Sequence, residues 1–86
     1  MRTNEKPTSI SILFFGATAD AVGKREIEID LVDGATVGGV LEQLKQANPG
    51  LGKHKLLFAL NEVYVERETE IKEGDTLAVF TAVSGG

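Results

Sequence analysis

The sequence predicts an α+β fold, a mixed sheet of four to five strands packed on one main helix. Three observations predict it. Apolar and polar residues alternate through "SISILFF" and "REIEIDLV", the period of half-buried strands. The period then lengthens to three and four residues through "DGATVGGVLEQLKQANPG", which is one face of a helix. After the helix come short apolar runs broken by turn residues, "KLLFALN", "VYVER", "KEGD" and "TLAVFTAV". With 86 residues there is room for one domain. A chain of this size buries only roughly 60–65% of the surface its unfolded form exposes, so the core is thin.

Taken in order, Met1 to Thr8 is polar, contains Pro7 and lacks periodicity, so residues 1–8 are expected to be a flexible tail. The first strand places Ile10, Ile12 and Phe14 on one side and Ser9, Ser11, Leu13 and Phe15 on the other. "GATADAVGKR", with two glycines, reads as a turn. The second strand turns Ile27, Ile29 and Leu31 inward and Glu26, Glu28 and Asp30 outward, and pairs with the first. Thr36 is the expected N-cap of the helix, and Val37, Val40, Leu41, Leu44 and Ala47 form its apolar face. Gly38 and Gly39 in its first turn cost about 1–2 kcal/mol of helix propensity, which predicts a frayed or closely packed start. Asn48-Pro49-Gly50 ends the helix, proline disfavouring helical geometry at Asn48 and Gly50 permitting a left-handed exit. A loop with Lys53, His54 and Lys55 follows. Asn61-Glu62 then joins two short strands as a hairpin, and Gly74 takes the positive-φ position of the next turn. In the last strand Leu77 and Val79 share one side, Ala78 and Phe80 the other.

A helix linking the second strand to the third must cross one face of the sheet, leaving the first and last strands free to lie together at its centre. That layout is a β-grasp, a ubiquitin-like roll, expected over residues 9–82. Its outer face breaks the usual rule of polar residues outside. Leu13, Phe15, Ala78 and Phe80 point that way, joined by Tyr64 if Val63 and Val65 point inward. An apolar patch of this kind marks a partner surface; the competing expectation is that loops cover Phe15 and Phe80 near their strand ends.

Side chains suited to chemistry are scarce. There is no cysteine and one histidine, His54, between two lysines, so neither a zinc site nor a thiolate is expected and no metal ligand is assigned. "AVGKRE" lacks the glycine spacing of a phosphate loop. A net charge of −4 argues against nucleic acid or an anionic membrane as partner. The start lacks the apolar core of a signal peptide and no run reaches transmembrane length, so a cytoplasmic location is expected. Glu66, Arg67, Glu68, Glu70, Lys72, Glu73 and Asp75 form a charged stretch. It reads as a solvated face, or as an acidic patch steering a basic partner toward the C-terminal tail. That tail, residues 83–86, is "VSGG". It is either a frayed end or a slim arm, because glycines fit a channel too narrow for a Cβ.

"ILFFG", "ATVGGVLEQLKQANPGL", "ALNEVYVERETEIKEGDTLAVF" and the final "VSGG" together resemble the small subunits of molybdopterin synthase, a family of ubiquitin-like sulfur carriers. The resemblance covers the chain from about Ser9 onward. It implies that Gly86, preceded by Gly85, is adenylated by an E1-like adenylyltransferase using ATP and then becomes a thiocarboxylate. The tail would enter the large subunit of the synthase and give its sulfur to a cyclic pterin precursor in molybdenum cofactor biosynthesis. The chain would be a carrier without catalysis or a bound cofactor of its own, one subunit of a sulfurtransferase assembled as a heterotetramer. Phe15, Tyr64 and Phe80 match the family's partner-binding positions, with Ser84 in the arm. The chain departs from the family in having "GATADAVG" where an Arg-Glu pair is common, and "TAV" where two prolines often precede the final valine. Two related roles stay open: a carrier for thiamin thiazole synthesis, and a ubiquitin-like modifier conjugated through Gly86.

Overall fold

The computed structural model describes residues 8–82. In chain order the elements are β1 (Thr8–Phe14), α1 (Ala17–Val22), β2 (Glu26–Leu31), α2 (Val37–Ala47), a 3-10 turn (Pro49–Lys53), β3 (Leu56–Leu60), β4 (Val63–Tyr64) and β5 (Thr76–Thr81). The five strands form one mixed sheet in the order β2-β1-β5-β3-β4. β1 and β5 are parallel neighbours at its centre, with Ile12 opposite Leu77 and Phe14 opposite Val79. β2 is antiparallel to β1, and β3 is antiparallel to β5. This is the expected β-grasp.

One face of the sheet makes the core. Ile10, Ile12, Phe14, Leu77 and Val79 pack with Val37, Val40, Leu41 and Leu44 of α2, and with Leu51 and Ile71 from the connections. The helix begins as expected: Thr36 has extended backbone, and its Oγ1 accepts the Gly39 N–H at 3.2 Å. Its start is closely packed at Gly38 rather than frayed, while Gly39 is exposed. The Val37 N–H donates to the Thr69 carbonyl at 3.0 Å and the Gly38 N–H to the Arg67 carbonyl at 2.8 Å. A Cβ on Gly38 would lie 3.2–3.3 Å from Arg67 side-chain and backbone atoms. The turn segment after β4 thus lies directly against the helix start, and glycine at position 38 leaves room for it.

Four details differ from the sequence reading. "GATADAVG" is a helix, α1, rather than an irregular turn; its two glycines mark the ends, with Gly23 at φ 84° donating to the Ala19 carbonyl. Gly50 does not take a left-handed exit. It sits within the 3-10 turn, beside α1, where a Cβ would make ordinary contact with that of Ala21 at 3.6 Å. Ala47, expected on the apolar face, is exposed at the last position of α2. Thr8, assigned to the tail, is buried and pairs with Leu31 as the first residue of β1.

Candidate functional site

The candidate site has two parts, the strand that leads to the tail and the outer face beside it. β5 runs up the middle of the sheet, anchored by Leu77 and Val79, both fully buried. Its last rung pairs Thr81 with Leu56, after which Ala82 is exposed. A second anchor comes from α1. The Thr18 Oγ1 is fully buried, 2.9 Å from the Val79 carbonyl and 2.7 Å from that of Phe15, with one proton to donate, and it accepts the Phe15 N–H at 3.0 Å. The Phe15 N–H also lies 3.1 Å from the Val79 carbonyl. The end of β1, the start of α1 and the last stretch of β5 are thereby tied together where the chain leaves the sheet. Ser84, Gly85 and Gly86 lie outside the described residues.

On the outer face the register aligns the expected apolar residues. Leu13 is opposite Ala78, Ala78 opposite Ala59, and Ala59 opposite Tyr64, making one row across four strands. In the next row Phe80 is opposite Leu57. The Tyr64 and Phe80 rings meet edge to face with centroids 6.3 Å apart, a favourable arrangement of aromatic quadrupoles. Phe15 is 51% exposed and Tyr64 75%, so loops do not cover this face. Leu13, Phe15 and Ala78 line a depression of about 390 Å³ with Asn61, Glu62 and Thr76. Val65 is partly buried, but Val63 is exposed together with Tyr64. β4 is only two residues long, at the sheet edge, and does not hold a strict alternation. Leu57 and Ala59 belong to this face and were not singled out from the sequence. "LLFAL" is apolar at every position, so its period assigns no side.

The hairpin and turn flanking this face are fixed by one hydrogen-bond network. Asn61 and Glu62 have φ of 51° and 70°, the left-handed pair of a two-residue hairpin turn. The Asn61 Nδ2 donates to Asp75 Oδ1 at 2.9 Å, and its Oδ1 accepts the Thr76 N–H at 3.0 Å. Asp75 Oδ2 accepts the Lys72 N–H at 2.9 Å, closing the turn in which Gly74 has φ 85° as expected. The Asn and Gly-Asp of the sequence motif are therefore one structural unit that sets the start of β5.

The acidic stretch is at the wrong end to guide a partner toward the tail. Asp75 precedes β5 and Ala82 follows it, a separation of roughly 23 Å at strand rise. Its charges other than the half-buried Asp75 are exposed, with Arg67 paired to Glu42 at 3.2 Å and Lys72 to Glu70 at 3.8 Å. His54 is exposed beside the end of the 3-10 turn. Among the described residues, no three His, Asp or Glu side chains are grouped to hold a metal ion. No described helix is long and apolar enough to cross a membrane.

The ThiS family model matches residues 12–86. The chain belongs to the ThiS family. The match includes both glycines and the whole sheet except the first residues of β1. Similar to this ThiS-family chain is the molybdopterin synthase sulfur carrier subunit of Haemophilus influenzae, 36% identical over 81 residues, with 90% of this chain and 99% of that one covered. The same subunit of Chlamydomonas reinhardtii is 33% identical, with 90% and 98% covered. Among solved structures, the putative molybdopterin converting factor subunit 1 of Pyrococcus furiosus matches with a TM-score of 0.83 and 26% identity, over 88% of this chain and 99% of that one. The small archaeal modifier protein 1 of Haloferax volcanii matches with a TM-score of 0.79 and 28% identity, over 91% and 99%. A chain from the complex of subunits 1 and 2 of the Helicobacter pylori molybdopterin-converting factor shares the fold, with a TM-score of 0.66 and 22% identity over 92% and 100%. The resemblance to molybdopterin synthase small subunits is borne out, and so is the ubiquitin-like β-grasp.

Proposed function

We propose that this chain is the sulfur carrier subunit of a molybdopterin synthase, with the carboxylate of Gly86 as its reactive group. The observation that carries the reading is its similarity to sulfur carrier subunits over nearly their whole length. The central strand β5 adds support, since it leads from the middle of a rigid sheet to the "VSGG" tail. A carboxylate resists substitution until it carries a good leaving group. The Gly86 carboxylate attacks the α-phosphorus of ATP within an E1-like adenylyltransferase and expels pyrophosphate. A sulfur nucleophile then displaces AMP and leaves a thiocarboxylate. In the synthase that sulfur adds to the cyclic pterin precursor, and water restores the carboxylate. The carrier contributes the arm and the docking; its slim Gly85-Gly86 end suits a narrow channel.

The outer face supplies the docking surface. Phe15, Tyr64 and Phe80 are the aromatic anchors, Leu57 and Ala59 extend the apolar ground between them, and Ser84 travels with the arm. The large subunit of the synthase is the partner assigned to this face; that subunits 1 and 2 of the Helicobacter pylori factor form a complex supports such a partner. Both curated relatives serve molybdopterin synthase, which favours this pathway over thiazole synthesis.

The test is the intact mass of the native protein and of a Gly86 deletion, each assayed with the activating enzyme, ATP and the synthase. The full chain is expected to show a species with one C-terminal oxygen replaced by sulfur. The deletion should lose both that species and pterin product. Product formation by the deletion variant would sink the reading. The likeness to the Haloferax volcanii modifier supports a second reading, conjugation of Gly86 to lysines, for which isopeptide-linked adducts in cell extract are the signature.

A further inference from the structure

The topology brings two positively charged turns to the end of the sheet from which the tail departs. Lys24 and Arg25 lie between α1 and β2, and the Arg25 carbonyl accepts the Phe14 N–H at 2.8 Å, level with the end of β1. Lys53 ends the 3-10 turn and His54 and Lys55 link it to β3, whose first residue Leu56 pairs with Thr81 at the end of β5. In the strand order β2-β1-β5-β3-β4 these two turns stand on either side of the central pair. All four Lys and Arg side chains are exposed. Among the described residues none of them forms an ion pair, whereas Lys45, Arg67 and Lys72 all do. Among the described residues, Asp20 and Glu26 are the acidic side chains nearest these turns in the chain. Glu66, Glu68, Glu70, Glu73 and Asp75 gather near the start of α2 and the start of β5, at the other end. A chain of net charge −4 thus carries a basic collar around the exit of its tail.

Folding does not require such a collar, because exposed charges add little to stability and neighbouring like charges cost some. We propose that the collar docks on an acidic protein surface, a rim of Asp and Glu side chains around the opening that receives the tail. The proposal rests on the carrier reading above and names the partner chemistry beside the same arm. Reach decides between a rim and a phosphate group at the reaction centre. The four residues beyond Ala82 span at most about 14 Å when extended, more than the Debye length of about 8 Å at physiological salt. With the arm extended into a partner, the collar meets the mouth of the channel and not the atoms that react. Nucleic acid fits less well, since the rest of the surface would repel a long polyanion. Basic turns around the arm orient the molecule tail-first in the field of an acidic opening.

The experiment measures association of the full chain with the synthase large subunit and with the activating enzyme by stopped flow, at low and high salt. The variants are Lys24→Gln/Arg25→Gln/Lys53→Gln/Lys55→Gln and the control Glu66→Gln/Glu68→Gln, each checked for an unchanged melting temperature. The collar variant should associate about 10-fold more slowly at low salt, converge with wild type at high salt, and dissociate at nearly the wild-type rate. The control should stay within about twofold. A collar variant with wild-type association and salt dependence would overturn the collar and leave the carrier reading standing. Failure of the wild-type chain to associate with either protein would overturn both. A short DNA duplex bound tightly by wild type and not by the collar variant would make this a nucleic-acid site and overturn the proposal.

Discussion

Thr18 shows how much one hydroxyl can organise in a small protein. It is fully buried in a helix of only six residues, too short to persist on propensity alone. Its Oγ1 lies within hydrogen-bond distance of the Phe15 and Val79 carbonyls and accepts the Phe15 N–H. Thr18→Val keeps the shape and removes the hydroxyl's bonds, while the Phe15 N–H keeps the Val79 carbonyl and the Phe15 carbonyl keeps the Thr18 N–H, so the loss is that of a side-chain hydrogen bond, about 0.5–1.5 kcal/mol. For a domain of this size that is a loss of roughly 4–8 °C in melting temperature per kcal/mol, measurable by thermal unfolding. Thr18→Ser, which keeps the hydroxyl, should recover most of it. Nothing in "GATADAVG" signals this role, because the partner carbonyl at Val79 is 61 residues away in the chain.

At the scale of elements, the start of α2 sets propensity against packing. Ala is favoured over Gly in a helix by about 1 kcal/mol, so Gly38→Ala would stabilise a free helix. In this protein the added methyl meets Arg67 at 3.2–3.3 Å, including its backbone carbonyl. The segment cannot withdraw without giving up the bonds from Val37 and Gly38 to Thr69 and Arg67. Overpacking of this kind costs about 1–3 kcal/mol, so Gly38→Ala is expected to lower stability to denaturant. Gly39→Ala should raise it, since a Cβ there meets only Thr36 Oγ1 at an ordinary 3.5 Å. Opposite signs at adjacent glycines are the check. The sequence made the pair conspicuous and left frayed and packed starts both open; the crossing segment chose between them.

For the whole molecule, the sheet has two apolar faces that differ in how far they are covered. The inner face is sealed by α2, while the outer one leaves Phe15 and Tyr64 largely exposed beside a half-buried Phe80. Phe80→Ala removes a ring that packs on Tyr64 and leaves the buried Leu77 and Val79 untouched. It should weaken binding to the synthase large subunit by about 10-fold or more, corresponding to a hot-spot loss above 1 kcal/mol. The variant should keep a cooperative unfolding transition near that of wild type. Unfolding of the variant, with no independent change in affinity, would return Phe80 to the core.

Most of the strand and helix plan is legible because it depends on local period and local chemistry. The alternation in β1, β2 and β5, the Thr36 cap, the break at Asn48-Pro49 and the left-handed Gly74 all follow from neighbours in the chain. The same alternation placed Phe15 and Phe80 on one surface, with Tyr64 joining on a condition that Val63 does not meet, and the final glycines stood out by composition. Three other features depend on contacts between distant residues. Leu57 and Ala59 join the outer face through pairing with Phe80 and Ala78. α1 is held against β5 and the 3-10 turn by Thr18 and the closeness of Ala21 to Gly50. The basic turns flank the tail, with the acidic stretch behind, only because β1 and β5 run parallel while β2 and β3 run against them. The sequence by itself determined which segments alternate, coil and turn, since those preferences act over a few residues. Tertiary structure alone decided which charges and apolar side chains stand together at the exit of the tail, because strand order joins residues that no local period relates.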